Sequence, residues 1–168
     1  MKVLKLGQSL CSSNNQGVSF SNKYSLDFDG VDGDSQDSDH LNWIDILTVN
    51  WGISVASQVS SGGGQTTSKP NFSDLSWTQN QDSSFPSLFS SISTGKPIKS
   101  ATVDFTTDGS TKSRVFFQLD FENVFLTSLD LSSDGSGLPH ISGSFAYEKV
   151  QVTFTPQDQS GKELSPIS

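Results

Sequence analysis

The chain has 168 residues, of which 32% are apolar, and its formal net charge is −8 at pH 7. Contacts to nucleic-acid phosphates need clustered lysine and arginine, so this acidic balance argues against a nucleic-acid partner. No segment approaches the roughly 20 consecutive apolar residues of a membrane helix, and we expect no membrane insertion.

The length suits one domain with a core of its own. Residues 1–22 are rich in Ser, Asn and Gln, and we predict a flexible N-terminal arm there. The arm has no apolar segment of the kind found in signal peptides, so we expect the protein to be made in the cytoplasm without one. Cys11 is the single cysteine, which excludes a disulfide within the chain and indicates a free thiol.

Two strands are predicted near the start of the domain. Apolar and polar residues alternate over Tyr24–Phe28, as in a strand with one buried face. A second strand, Ile44–Trp51, carries apolar residues on both faces and is expected to be covered on both sides for part of its length.

An acidic excursion with six aspartates, Asp27 to Asp39, lies between these strands. Calcium loops of the EF-hand type need ligands at positions 1, 3 and 5 and glycine at position 6. Neither register of this segment, starting at Asp27 or at Asp32, meets that spacing. We therefore interpret the segment as a solvated turn and predict no metal site.

A long polar segment, Gly52–Lys69, follows the second strand and contains Gly62-Gly63-Gly64. It can bury little of its own surface, so a floppy linker is one interpretation. A small domain rarely keeps so long a loop without a use for it, which favours a functional loop.

One helix is predicted after a strand over Asn71–Thr78, whose anchors are Phe72, Leu75 and Trp77. Ser84 is a suitable N-cap, and Gly95 is a suitable end about ten residues later. The apolar positions form a single stripe, which indicates packing against a sheet: Phe85, Leu88, Phe89 and Ile92.

The rest of the chain reads as strands. Ser100–Thr107 and Arg114–Leu126 flank Asp108-Gly109, a strong hairpin-turn signal. His140–Phe154 closes the fold, and its aromatic residues Phe145 and Tyr147 are expected on a face that another subunit partly covers. Residues 159–168 are predicted as a polar tail.

The sequence offers little for catalysis. His40 and His140 are interpreted as surface residues of loops, and no nucleophile elbow, zinc-ligand set or phosphate loop is present. Asp120 and Glu122 share a strand face about 7 Å apart, a separation that suits glycosidase carboxylates. A wet strand face is the plainer interpretation, and we predict neither an enzyme nor a cofactor.

These patterns together predict an all-β fold with one short α-helix, arranged as a two-sheet β-sandwich or a squashed β-barrel. An ordered set of segments resembles the Hcp (hemolysin-coregulated protein) family, whose members form the tube of bacterial type VI secretion systems. The resemblance spans residues 23–158 and is carried by Phe28–Ser35, Trp43–Leu47, Trp51-Gly52, Ser61–Gly64, Ser87–Phe89, Thr94–Lys96 and Phe145–Gln157.

The resemblance implies a homohexameric ring that stacks into the inner tube, is exported by type VI secretion and has a lumen able to carry small effector proteins. It also implies sheath and spike proteins of the system as partners. The long loop would project from the barrel and contact a neighbouring subunit. The expected subunit-contact residues are Ser57, Gln58, Val59, Ser60, Gly62, Gly63, Gly64, Gln65, Phe145 and Tyr147.

An alternative from another class is a monomeric, secreted β-sandwich that binds carbohydrate or calcium. Its basis is the set of three tryptophans, Trp43, Trp51 and Trp77, which would stack on sugars if they were exposed. Core packing is the competing explanation for each of them.

Overall fold

The structure, a computed structural model, describes residues 22–55, 57–59, 65–67, 69–108, 113–157 and 163–168. The predicted arm, including Cys11, lies outside these residues apart from Asn22, which begins the first strand. The elements are β1 (Asn22–Phe28), β2 (Ile44–Asn50), β3 (Ile53–Ser54), β4 (Ser57–Val59), β5 (Gln65–Thr67), β6 (Asn71–Phe72), β7 (Leu75–Asn80), α1 (Phe85–Thr94), β8 (Ile98–Asp108), β9 (Ser113–Ser132), β10 (His140–Ala146) and β11 (Lys149–Phe154).

The main sheet is antiparallel and closes on itself. Its order is β10-β7-β2-β1-β8-β9-β11, and β10 pairs with β9 as well as with β7. A barrel wall therefore runs from β10 through β7, β2, β1 and β8 to β9 and back to β10, with β11 attached outside this circuit. The predicted fold class, all-β with one short helix in a squashed barrel, is confirmed.

Strand β9 holds the sheet together because its 20 residues pair with three other strands. Its first part pairs with β8 on one side, from Ser113 to Val124, and with β11 over Phe117–Glu122. Its last part, Phe125–Ser132, pairs with β10. The hairpin predicted between β8 and β9 is present, and its turn residues 109–112 lie outside the described part of the chain.

Aromatic residues from four strands fill the centre of the barrel. Phe145 of β10 lies with its ring centroid 5.6 Å from that of Phe28, 5.9 Å from that of Trp77 and 5.2 Å from that of Phe121. All four side chains are at least 98% buried. Burying large aromatic side chains is the main favourable term in a fold with so few apolar residues.

The first two strands differ in how they are covered: in β1, Ser25 is 0% exposed on the face opposite Leu26 and Phe28, so both faces are covered there. Leu26 and Phe28 of β1 are buried, as the alternation predicts. In β2, Ile44 and Ile46 are buried while Leu47 is half exposed. Val49 and Trp51, which the alternation places on the Leu47 face, are partly buried and pack against the core beyond the register irregularity at Ile46/Thr48, so that face is covered over part of the run and open at Leu47.

The helix α1 has its predicted length of ten residues and ends at Gly95, whose φ of 64° is easy for glycine. Ser84 does not cap the helix with its side chain. Leu88 is the residue of the apolar stripe that is fully buried, whereas Phe89 is exposed. The helix therefore buries fewer of its apolar residues against the core than their spacing indicates.

Two predicted strands are interrupted. The run Asn71–Thr78 is divided into β6 and β7, and Phe72 is exposed instead of serving as a core anchor. The closing run is divided into β10 and β11 by Tyr147 and Glu148, so alternation does not continue across it. Phe145 lies in the core of its own chain and is 0% exposed. Its predicted contact with another subunit is therefore wrong.

Candidate functional site

The candidate interaction surface begins with a short ribbon at the long polar segment. Ser57–Val59 pairs with Gln65–Thr67 in an antiparallel register, Ser57 with Thr67 and Val59 with Gln65. These strands form a sheet of their own, separate from the main sheet. Ser60 and Gly62–Gly64, which were also predicted to contact a subunit, lie outside the described residues. The segment is therefore a paired ribbon where sequence alone indicated an unstructured loop.

A second small sheet anchors this ribbon to the barrel. Ile53 pairs with Phe72, and Ser54 pairs with Asn71. Gly52 and Ser73 hold the base of the sheet, because the Ser73 N–H donates to the Gly52 carbonyl at 3.0 Å and the Gly52 N–H donates to Ser73 Oγ at 2.9 Å. Three apolar side chains on this base are exposed: Ile53, Val55 and Phe72.

Tyr147, a predicted contact residue, is half-buried beside this base. The Trp51 Nε1–H donates to its hydroxyl at 2.6 Å, and the hydroxyl donates to the Ser73 carbonyl at 3.3 Å. Its ring also packs against Phe121, with centroids 4.7 Å apart. Tyr147 therefore supports the end of β2 and the ribbon base from beneath. Whether it also contacts a neighbouring subunit stays a prediction.

A groove of about 510 Å³ opens next to Tyr147. One wall is the segment Phe72–Asp74 and the other is Ala146–Val150. Across the groove the strands β7 and β10 pair only as far as Leu75 and Phe145, so the chain segments separate at this point. The groove is thus lined by apolar residues such as Phe72 and Val150 together with charged residues such as Asp74 and Lys149.

The acidic excursion is folded against the barrel. His40, predicted on the surface, is buried, and its Nε2 lies 2.9 Å from Asp104 Oδ2. Burial follows because the excursion crosses the outer face of β8, where Asp104 points. Asp37 accepts a hydrogen bond from the Asp39 N–H and another from Lys23 Nζ, each at 3.0 Å. These two bonds hold the pKa of Asp37 below its usual value.

The excursion also reaches the start of the helix. Asp34 accepts hydrogen bonds from the Ser83 N–H at 3.1 Å and from the Ser83 hydroxyl at 2.6 Å. Asp34 and Asp37 are thus engaged with the protein itself. Over the described residues, no group of three or more His, Cys, Asp and Glu side chains is placed to hold a metal ion.

The carboxylates considered for hydrolysis have other partners. Asp120 accepts a hydrogen bond from Thr102 Oγ1 at 2.9 Å, and Glu122 forms an exposed ion pair with Lys149 at 2.6 Å. No histidine lies with them: His40 is bonded to Asp104, and His140 is at the exposed start of β10. The geometry is that of polar cross-strand pairs on a wet sheet face.

The tryptophans do not form an open platform for sugars. Trp77 is 1% exposed, and its Nε1–H donates to Gln79 at 2.7 Å in the core. Trp51 is tied to Tyr147, and Trp43 packs its ring edgewise on His40 with centroids 4.7 Å apart. Trp77 thus lies in the core, Trp51 packs against the core, and Trp43 is half-buried against the excursion.

Comparison with known families identifies the chain. Residues 25–154 match the family model described as "Type VI secretion system effector, Hcp". The chain belongs to the Hcp family. The resemblance seen in the sequence motifs is thereby confirmed. No helix in the described residues is both long and apolar enough to cross a bilayer.

Solved structures agree with the Hcp assignment. A type six secretion system protein shares 30% identity with this chain at a TM-score of 0.81, over 88% of this chain and 93% of the other. Hcp1 from Salmonella typhimurium is 21% identical at a TM-score of 0.68, over 85% and 99% of the two chains. A type VI secretion system effector from Yersinia pestis is 22% identical at a TM-score of 0.67, over 86% and 98%.

At these lower identities the last two structures show the shared fold alone. A search of curated proteins found no match. Hcp proteins are structural parts of the secretion system and not a known enzyme family, which accords with the carboxylate pairs being engaged in the sheet.

Proposed function

We propose that this protein is a subunit of the inner tube of a type VI secretion system, in which six copies form a ring and the rings stack. The observation that supports the proposal most is the family match over residues 25–154, together with the Hcp fold. The same proposal implies three kinds of partner: a sheath around the tube, a spike at its end and small effector proteins in its lumen. Export of the protein would use the secretion system itself.

The ribbon Ser57–Thr67 is proposed to make the contact between stacked rings. Support comes from its separation from the main sheet and from the exposed apolar residues at its base, Ile53, Val55 and Phe72. An exposed apolar cluster beside a polar arm is typical of a protein interaction site. A heterologous contact of this kind, with one patch meeting a different patch, produces rings or open stacks.

We also propose that residues 23–158 make the Hcp-like barrel domain, with residues 1–22 as an N-terminal arm and 159–168 as a C-terminal tail. In the tail, Ile167 pairs with Phe154 and Glu163 pairs with Gln157. The described part of the tail thus runs back along the end of β11.

The first test is the solution mass, measured by size-exclusion chromatography with light scattering and supported by negative-stain images. One chain has a mass of 18.1 kDa. We expect a particle six times heavier, seen as a ring with a central hole. A monomer at high protein concentration would contradict the proposal and return attention to sugar or calcium binding.

The stacking role of the ribbon is tested separately. Replacing residues 57–67 with a short Gly-Ser turn should leave single rings and abolish stacks in the images. As a matched control, replacing the exposed loop Ser133–Gly137 with a short Gly-Ser turn should change neither the rings nor the stacks. Stacks of normal length from the ribbon-deleted protein would show that the contact lies elsewhere.

A further inference from the structure

A cleft of about 410 Å³ opens on the barrel wall, and none of its residues belongs to the ribbon or to the groove beside Tyr147. One side of the cleft is the acidic excursion at Asp39 and His40, and the other is the C-terminal tail from Glu163 onward. Strand β8 contributes Asp104 and Thr106, which form the floor. Small-molecule sites typically have volumes of about 300–1,000 Å³. The cleft is thus large enough for a small organic molecule.

A β-bulge shapes the floor of the cleft. The register of β8 with β9 shifts here, so that Thr106 lies opposite Val115 and Phe116 is left without a partner on β8. The Phe116 carbonyl instead accepts a hydrogen bond from the Thr155 N–H at 2.9 Å. Bulges redirect side chains and are common next to functional sites. This bulge brings Val115 and Thr155 to the cleft beside Thr106.

Two buried polar atoms of the cleft residues have no hydrogen-bond partner in the part of the chain that the structure describes. They are Oγ1 of Thr106, a residue that is 1% exposed, and Nδ1 of His40, which is 3% exposed. A buried polar group without a partner is costly, and a bound ligand is one explanation for its presence. Thr106 shares the outward strand face with Asp104, so its hydroxyl is directed at the cleft.

The charges of the cleft favour a cation. Three carboxylates line it together with one guanidinium: Asp39, Asp104 and Glu163 with Arg114. With its side-chain carbonyl toward the guanidinium, Gln157 accepts hydrogen bonds from Arg114 Nε and Nη1, each at 3.0 Å. Asp104 already accepts two hydrogen bonds. The carboxylates of Asp39 and Glu163, on opposite sides of the cleft, form neither a hydrogen bond nor an ion pair within the described residues.

The spacing of these groups suits an extended cation. A metal ion needs several ligands at about 2–2.6 Å, and the described residues hold no group of three or more His, Cys, Asp and Glu so placed. The apolar surface of the cleft comes from Val115, Leu164 and Pro166. An alkyl chain would cover this surface, and ammonium groups at its ends would donate charge-assisted hydrogen bonds to the carboxylates.

We propose that this cleft binds a linear aliphatic diamine or polyamine, with one ammonium group at Asp39 and the Thr106 hydroxyl and another at Glu163. The bound ligand joins the excursion to the tail and so holds the tail on the barrel. The net charge of −8 adds a general attraction for such cations. This inference concerns a small ligand of the single chain and does not depend on the proposed ring.

Cadaverine, a diamine with a five-carbon chain, is the probe, and isothermal titration calorimetry with the full chain measures its Kd. Pentylamine has the same alkyl chain and a single ammonium group, and we expect it to bind about tenfold more weakly. Cadaverine should also raise the melting temperature, because it binds the folded state. Equal affinities for the two amines, or no binding at millimolar cadaverine, would overturn the proposal.

Two variants test the carboxylates. Asp39→Asn and Glu163→Gln each remove a charge that has no partner in the described residues, so both proteins should fold normally. Each should raise the Kd for cadaverine about fivefold or more. Asp130→Asn is the matched control, because it changes the net charge equally at an exposed position outside the cleft, and it should bind like the wild type. An equal loss of affinity in Asp130→Asn would mean attraction to an acidic surface without a site.

Thr106→Val tests the buried hydroxyl. Valine keeps the shape of the side chain and removes an unpartnered polar group, so the protein without ligand should be at least as stable as the wild type. Its Kd for cadaverine should nevertheless rise about threefold to tenfold, a combination that a purely structural role of Thr106 does not produce. An unchanged Kd would overturn the role given to this hydroxyl.

Lysine side chains carry the same ammonium group, and Lys2 and Lys5 of this chain are an alternative source of it. The double variant Lys2→Gln/Lys5→Gln separates the two sources. If it binds cadaverine with the affinity of the wild type, the cleft is a site for free amines, as proposed. If it binds cadaverine more tightly, the lysines of the chain compete for the cleft, and the assignment to free amines is overturned.

Discussion

At the scale of single residues, the buried pair of His40 and Asp104 ties the acidic excursion to β8. Asp104 Oδ2 lies 2.9 Å from His40 Nε2, and Oδ1 accepts a hydrogen bond from Gln118 at 2.9 Å. Asp104→Ala would leave two donors without their acceptor, one of them fully enclosed. We expect the free energy of unfolding, measured by urea denaturation, to fall by about 2–4 kcal/mol.

Asp130→Ala is the control for that substitution. Asp130 is exposed on β9, and its side chain makes no hydrogen bond within the described residues, so the change in net charge is the same and no buried partner is lost. Its unfolding free energy should stay within about 0.5 kcal/mol of the wild type. An equal loss in both variants would mean that charge, and not the buried pair, sets the effect.

Asp27 gives a pH-dependent prediction. Burial, and then the neighbouring carboxylates Asp29 and Asp32, raise the pKa of Asp27 above its usual value. Protonated Asp27 therefore stabilises the fold, and this contribution is lost as the pH rises through the raised pKa. Asp27→Asn should be more stable than the wild type at pH 7, and the gap should close as the pH falls through that pKa.

Thermal unfolding from pH 3 to pH 7 measures this gap. Asp130→Asn serves as the comparison because it changes the net charge of −8 by the same amount at an exposed position. If Asp130→Asn gains the same thermal stability as Asp27→Asn, the effect comes from long-range repulsion in an acidic protein. If the gain in Asp27→Asn does not depend on pH, the role of Asp27 ionisation is contradicted.

At the scale of elements, β10 and β7 approach each other closely at Gly143. The Trp77 ring packs directly against this glycine, and a Cβ atom built there would overlap three ring carbons. Gly143→Ala must move a fully buried indole, and we expect it to lower the free energy of unfolding by about 2–3 kcal/mol in urea denaturation. Gly137→Ala, where a Cβ meets open space, should be neutral. Equal stability of both variants would show that the core rearranges without cost.

Tyr147 joins three elements: the end of β2, the base of the ribbon and the junction of β10 and β11. Tyr147→Phe removes the acceptor of the Trp51 Nε1–H at 2.6 Å while keeping the ring on Phe121. The expected loss of unfolding free energy is about 1 kcal/mol, with a changed Trp51 environment in the fluorescence spectrum. Tyr24→Phe is the matched control, since the Tyr24 hydroxyl makes no hydrogen bond within the described residues. A larger loss in Tyr24→Phe than in Tyr147→Phe would refute this assignment.

The elements also show what periodicity can and cannot predict. Strand β1 and helix α1 follow local rules, a repeat of two residues and a helix-ending glycine, and both were predicted with nearly correct bounds. The exposure of Phe89 was not predicted, because a stripe of apolar residues does not indicate how far the sheet beneath the helix extends. The interruption between β10 and β11 at Tyr147 was not predicted for a related reason. The residues on both sides of it favour strands, and Tyr147 contacts Trp51 and Ser73, which are distant in the sequence.

At the scale of the whole molecule, the sequence predicted the fold class and the family, because ordered motifs and alternation report on the whole sheet. It did not predict which strands are neighbours. The three partners of β9 come from residues far apart in the chain, and local patterns do not record such pairing. For the same reason His40 was placed on the surface, since its partner Asp104 lies 64 residues away. Phe145 was assigned to an outer face because alternation was carried across a break.

The central place of β9 has a consequence for how this chain folds. Strand β2 pairs with β1 and β7, and β8 returns to pair with the other edge of β1, but the circuit closes only when β10 meets both β7 and β9. Contacts between distant segments cost loop entropy before they stabilise anything, so closure should be the slow step of folding. Until it occurs, β7 lacks one of its two neighbours and Trp77 has no Gly143 to pack against. The open intermediate, with its aromatic centre in water, is the form most exposed to aggregation and to proteases.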